Sequence, residues 1–113
     1  MKLLTVLLLF AAGALLTAQT PTHQVTLTWT DSANPAGTSY SVYRFSGTCA
    51  NPQFVSIASG VAIKTYVDAN IAPGTYCYTV TAVNAGSESA PATPVLASVP
   101  STFPPGKILI IVQ

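Results

Sequence analysis

From residue 23 onward the chain alternates. Residues 23–30 read HQVTLTWT, so Val25, Leu27 and Trp29 share one face and Gln24, Thr26 and Thr28 the other, the period of a half-buried strand. The cluster Asp31-Ser32-Ala33-Asn34-Pro35-Ala36-Gly37 interrupts the pattern as a turn. Residues 39–45 resume it, with Tyr40 and Val42 on one face and Ser41, Tyr43 and Phe45 on the other. Two further strands are predicted over 53–58 and 62–68, parted by Ser59-Gly60-Val61, and Ala72-Pro73-Gly74 makes a tight corner. Residues 76–83 form a long strand: Tyr76, Tyr78, Val80 and Ala82 face one way, and Cys77, Thr79 and Thr81 the other. A polar loop over 84–89 leads to a last strand over 93–99, where Pro94 suits a sheet edge. All nine prolines fall after residue 20 and leave no stretch for a long helix. Six short strands parted by turns predict an all-β sandwich or small barrel.

A different pattern precedes residue 19. Met1-Lys2 is a positive start, residues 3–16 (LLTVLLLFAAGALL) are continuously apolar, and Ala18 stands before Gln19, the order of a secretory signal peptide cut after residue 18. The rival is a membrane anchor, which needs about 20 apolar residues. This run is shorter and has no charged residue closing its far side. The residue directly after the cut is Gln19 and not cysteine, which argues against a lipid-anchored form. The expected organisation is a signal peptide over 1–18, a β-sandwich over 19–100, and a proline-led apolar tail over 101–113. No other segment is long and apolar enough to span a bilayer.

Composition narrows the function. Of the 113 residues 50% are hydrophobic and only 6% charged, against about 25% charged in an average domain. Without Lys2, the remaining Arg44, Lys64 and Lys107 balance Asp31, Asp68 and Glu88. Nucleic-acid binding needs clustered basic residues, which are lacking. Cys49 and Cys77 are the two cysteines, and an even count in an exported chain favours a disulfide. The single histidine, His23, is remote in sequence from both, so no zinc site is indicated, and there is no C-x-x-C pair. A hydrolytic set would need His23 as base, Asp31 as orienter and one of the serines. No nucleophile elbow supports it, and His23 reads instead as an exposed residue entering its strand. Asp68 reads as a cap at the corner before Ala72, and three scattered acids make no calcium loop. No catalytic residue, metal or cofactor is expected.

The order of motifs resembles the fibronectin type III family. The similarity covers residues 23–99. It rests on the strand ending in Trp29, on Tyr40-Ser41-Val42-Tyr43-Arg44, on Ile71-Ala72-Pro73-Gly74-Thr75-Tyr76 leading into residues 78–84 (YTVTAVN), and on Gly86-Ser87-Glu88-Ser89-Ala90-Pro91. The resemblance implies an immunoglobulin-like sandwich in which Trp29 is a core residue and Tyr76 hydrogen-bonds back to the backbone at a corner. It also implies that the strand bearing Tyr43 runs antiparallel to that bearing Cys77. Cys49 then lies near Cys77, and a bridge between them clips the intervening loop to the sheet.

Two features depart from the family. Only residues 19–22 stand where a first strand is usual, and the chain continues past the last strand into Thr102-Phe103-Pro104-Pro105-Gly106 and KILIIVQ. Five apolar residues, Ile108 to Val112, invite aggregation if left bare. They either begin a second module of a longer exported enzyme or adhesin, or fill the vacant first-strand position of another copy by self-association. The resemblance implies a secreted, non-enzymatic module for extracellular recognition or spacing, with a protein or a glycan as partner. Trp29, Tyr40, Tyr66, Tyr76 and Tyr78 read as core. The candidate binding face is Tyr43, Phe45, Thr79 and Thr81, unless the cysteine-bearing loop covers it.

Overall fold

The alternation that opens the chain becomes strand β1 (His23–Thr28), whose odd-numbered residues turn inward while Gln24, Thr26 and Thr28 stay exposed. The computed structural model describes residues 22–103; the expected signal peptide (1–18) and the apolar residues 108–112 lie outside that range. The further strands are β2 (Ser39–Ser46), β3 (Val55–Val61), β4 (Thr65–Ile71), β5 (Gly74–Asn84), β6 (Ser87–Glu88) and β7 (Val95–Val99), and the described residues contain no helix. One sheet is the antiparallel pair β1–β4. The other is built on β5, which pairs β2 along one edge and both β7 and β6 along the other, with β3 outside β2.

The two sheets close on Leu27, Val42, Ile71, Tyr76, Tyr78 and Val99, with Val25, Trp29, Ile57, Tyr66 and Val80 packed around them. Trp29 meets Tyr40 edge to face with ring centres 5.4 Å apart, an arrangement that suits the ring quadrupoles. The Tyr76 hydroxyl donates to the Ala72 carbonyl at 2.7 Å and braces the corner between β4 and β5.

The boundaries of β3 and β4 lie about three residues later than the turn signals predict. Gly60 does not turn the chain. Tyr40 pairs Val61 and Val42 pairs Ala58, so β3 carries one extra residue there, a bulge with Gly60 at φ 66°. The reversal comes at residues 62–64 instead. A second bulge places Asn70 at φ 57° between the pairs His23–Ile71 and Val25–Asp68, which carries β4 past the predicted end at residue 68. Within the predicted polar loop, Ala85 and Gly86 both take positive φ (51° and 78°) and fold back the short strand β6, the two-residue hairpin that matches strand twist.

Asp68 is not a corner cap. It lies within β4, only 6% exposed, with its carboxylate between the sheets. Arg44 of β2 donates to both of its oxygens, at 3.0 and 2.8 Å, and the Tyr78 hydroxyl of β5 donates at 2.6 Å. The guanidinium also lies over the Tyr76 ring at 5.7 Å. This cluster ties the two-stranded sheet to the larger one. The carboxylate beside it raises the Arg44 pKa, and burial, then the bond to Asp68, raise that of Tyr78.

Candidate binding face

Side chains alternate across a sheet, so the outward residues of β2 and β5 meet as cross-strand pairs. Tyr43 stands opposite Thr79, Ser41 opposite Thr81 and Phe45 opposite Cys77. On an open sheet these would face water. Thr79 and Thr81, however, are each only 4% exposed. Strand β6 and the chain after it cover them: the Thr79 hydroxyl donates to the Ala92 carbonyl at 2.7 Å, and the Thr81 hydroxyl to the Glu88 carboxylate at 2.6 Å. Neither hydroxyl is free for a ligand, so the accessible part of the face is aromatic and carboxylate.

Glu88 is the hub, and sequence reasoning passed over it as part of a polar loop. The hairpin at Ala85-Gly86 lays it beside β5, where both Thr81 and the Tyr43 hydroxyl donate to the same oxygen. These bonds favour its charged form and hold its pKa below the usual carboxylate range, Thr81 contributing most. The same bond raises the Tyr43 pKa. Tyr43, Phe54, Thr79, Thr81, Glu88 and Pro91 line a shallow hollow of about 270 Å³. Phe54, expected inside the strand over 53–58, instead enters from the loop between β2 and β3, because that strand begins only at Val55.

Phe45 lies one step along the same face but lines a neighbouring hollow with Arg44, Gln53, Val55 and Ile57. Its ring is seated against Gly47, where an added Cβ would come within 2.6 Å of it. The structure therefore joins Tyr43, Thr79 and Thr81 and sets Phe45 beside them.

Cys49 and Cys77 form a disulfide with Cα atoms 5.3 Å apart, which pins the β2–β3 loop over the buried end of β5. The same loop supplies Phe54, so the bridge positions one wall of the hollow.

His23 and Asp31 lie at opposite ends of β1 and form no catalytic pair. Asp31 accepts from the backbone N–H of Ala33 and Asn34 and from the side chains of Asn34 and Tyr40, a turn-forming role. Those bonds, that of the Asn34 side chain foremost, hold its carboxyl well below the usual range. His23 is half-buried rather than exposed, because Phe103 stacks on its ring at 3.9 Å. Among the described residues no three His, Cys, Asp or Glu gather where they could hold a metal ion.

Among solved structures the chain matches an Fn3-like protein from Clostridium thermocellum, with 28% sequence identity and a TM-score of 0.56, over 65% of this chain and 73% of that one. No protein-family model and no curated protein matches it.

Proposed function

We propose that this fibronectin type III-like sandwich is a secreted, non-enzymatic module that recognises an extracellular partner through the face centred on Tyr43. The hollow between Tyr43, Phe54 and Glu88 carries this reading. It sets two aromatic side chains beside a carboxylate already organised by two hydroxyls, the mixture of rigid apolar surface and fixed polar group that recognition surfaces favour. Two features support export, together with the general behaviour of disulfides. The first eighteen residues have the order of a signal peptide, the one cysteine pair is bridged, and disulfides persist in oxidising compartments.

The scarcity of charge fits the same picture. Asp31 is committed to a turn and Asp68 to an ion pair, and Glu88 is the acid that borders the Tyr43 hollow. A protein surface suits this face better than a long anionic polymer, since no cluster of cations accompanies it.

The test compares the parent with a Tyr43→Ala/Phe45→Ala chain against extracellular proteins of the source organism's medium and against a glycan array. Loss of a ligand by the variant supports the face. A variant that retains every ligand of the parent removes it, and a parent that binds nothing leaves the module a spacer.

A further inference from the structure

We propose that the open flank of the sandwich is closed by a strand from a second copy of this chain, donated by residues 107–113, so that copies associate head to tail. This inference concerns the side of the molecule between β1 and β7 and does not depend on the Tyr43 face.

The two sheets are unequal. The smaller has two strands, and among the described residues no strand pairs the second edge of β1. An unpaired edge exposes backbone N–H and C=O groups to an incoming strand. Here the edge also borders uncovered apolar surface. Val95 shares the inward face of β7 with Ala97 and Val99, yet it is 54% exposed, and its neighbour Leu96 is 58% exposed. Between β1 and β7 runs a cleft of about 100 Å³ lined by Leu27, Trp29, Tyr78, Val80, Ala92 and Val95. The Trp29 indole N–H is buried and has no acceptor among the described residues. A buried donor without a partner is costly, and a strand carbonyl in the cleft is a group that can accept it.

The chain itself supplies a strand of suitable length. β1 spans six residues, about 20 Å, and residues 107–113 in extended form span about 23 Å. Where that segment departs decides which copy it fills. Val99 pairs Gly74, His23 pairs Ile71, and Phe103 stacks on His23, so the chain leaves the described fold at the end where β1 begins. To run antiparallel to its own β1 it must first reach the Trp29 end. Three residues, 104–106, reach no more than about 10 Å. A parallel return would need a sharp reversal through Pro104-Pro105, which favour extended backbone, and would form the weaker kind of pairing. In a second copy placed below, the same segment enters at the Trp29 end and runs antiparallel to β1 without reversing. Because donor segment and acceptor flank are different surfaces, the contact repeats from copy to copy.

The test uses the purified protein and its Ile110→Pro variant, since proline removes one backbone donor from the donated strand. Light scattering over increasing concentration should show the parent's mass growing and the variant's constant. A synthetic peptide of residues 104–113 is then titrated into the Ile110→Pro chain, with emission of Trp29, the single tryptophan, as readout. A saturable shift at one peptide per chain is expected, and none from a peptide carrying the same proline. A parent that stays monomeric at every concentration overturns the proposal, whether its tail is free or folded on its own copy. Association that persists in the variant, or a peptide that leaves Trp29 unmoved, overturns it equally.

Discussion

Replacing Arg44 by leucine removes one member of the cluster that joins the two sheets. It leaves the Asp68 carboxylate between them with a single hydrogen bond, from Tyr78. Breaking a buried ion pair in this way costs about 3–5 kcal/mol. Asp68 is almost wholly buried, but the Arg44 side chain is 31% exposed. Water can therefore reach part of the site, and the lower end, about 3 kcal/mol, applies. For a folded unit of this size 1 kcal/mol moves Tm by about 4–8 °C, so a fall of about 12–24 °C is expected. Tyr78→Phe keeps the ion pair and loses one bond to a charged acceptor, a smaller cost of about 1.5–3 kcal/mol. Arg44→Leu/Asp68→Leu leaves no buried charge and should recover most of the stability, because paired charges roughly break even against apolar replacements. Urea unfolding followed through Trp29 measures the parent, these three variants and the Asp68→Leu single variant. The reasoning fails if Arg44→Leu costs under about 1 kcal/mol, or if the double variant loses the sum of its two single changes.

Cys49→Ala/Cys77→Ala opens a loop with a sequence separation of 28 and should cost about 3–4 kcal/mol, read as a lowered urea midpoint, with earlier proteolysis between β2 and β3. Gly47→Ala places a methyl group against the Phe45 ring at a φ of 153°, and a loss of about 1–3 kcal/mol is expected from the crowding, measurable by thermal unfolding. Ala85→Gly relieves a left-handed alanine and should raise stability by up to about 1 kcal/mol, since that conformation costs an L-residue roughly 1–2 kcal/mol. Stability should be level near neutrality and fall below about pH 4. The lowered pKa values of Asp31 and Glu88 contribute stability above the ordinary carboxylate range, and it is lost as those groups protonate in the folded state. Urea midpoints across pH check this, and the acid-side loss should shrink in Glu88→Gln.

The strands were legible because their pattern is local. A period of two marked β1, β2 and β5, and the hydrophobic face read in 76–83 is the one that supplies Tyr76 and Tyr78 to the core. The bounds of β3 and β4 were misplaced because glycine and asparagine serve both turns and bulges, and only pairing to a neighbouring strand distinguishes the two. The candidate face was legible in part. Outward residues of β2 and β5 follow from alternation, but the cover over Thr79 and Thr81 comes from residues 13 and 7 positions further along the chain. Glu88 reads as part of a polar loop and Phe54 as part of a strand over 53–58, and nothing local to either marks the hollow they share.

By itself the sequence determined an all-β chain with an export-like start, a single pair of cysteines and few charges. These are properties of composition and local period, readable without knowing what lies beside what. Only the tertiary structure decided what each acid does. Asp31 bonds its own turn, Asp68 is buried by a strand from the opposite sheet, and Glu88 is returned by a hairpin to two hydroxyls. The three look alike in sequence because a carboxylate's role is set by the donors around it, and in a sandwich those donors come from strands distant in the chain. The edge of β1 that no strand pairs among the described residues is likewise a tertiary fact. It follows from how many strands each sheet contains and where the chain departs, neither of which any single strand records.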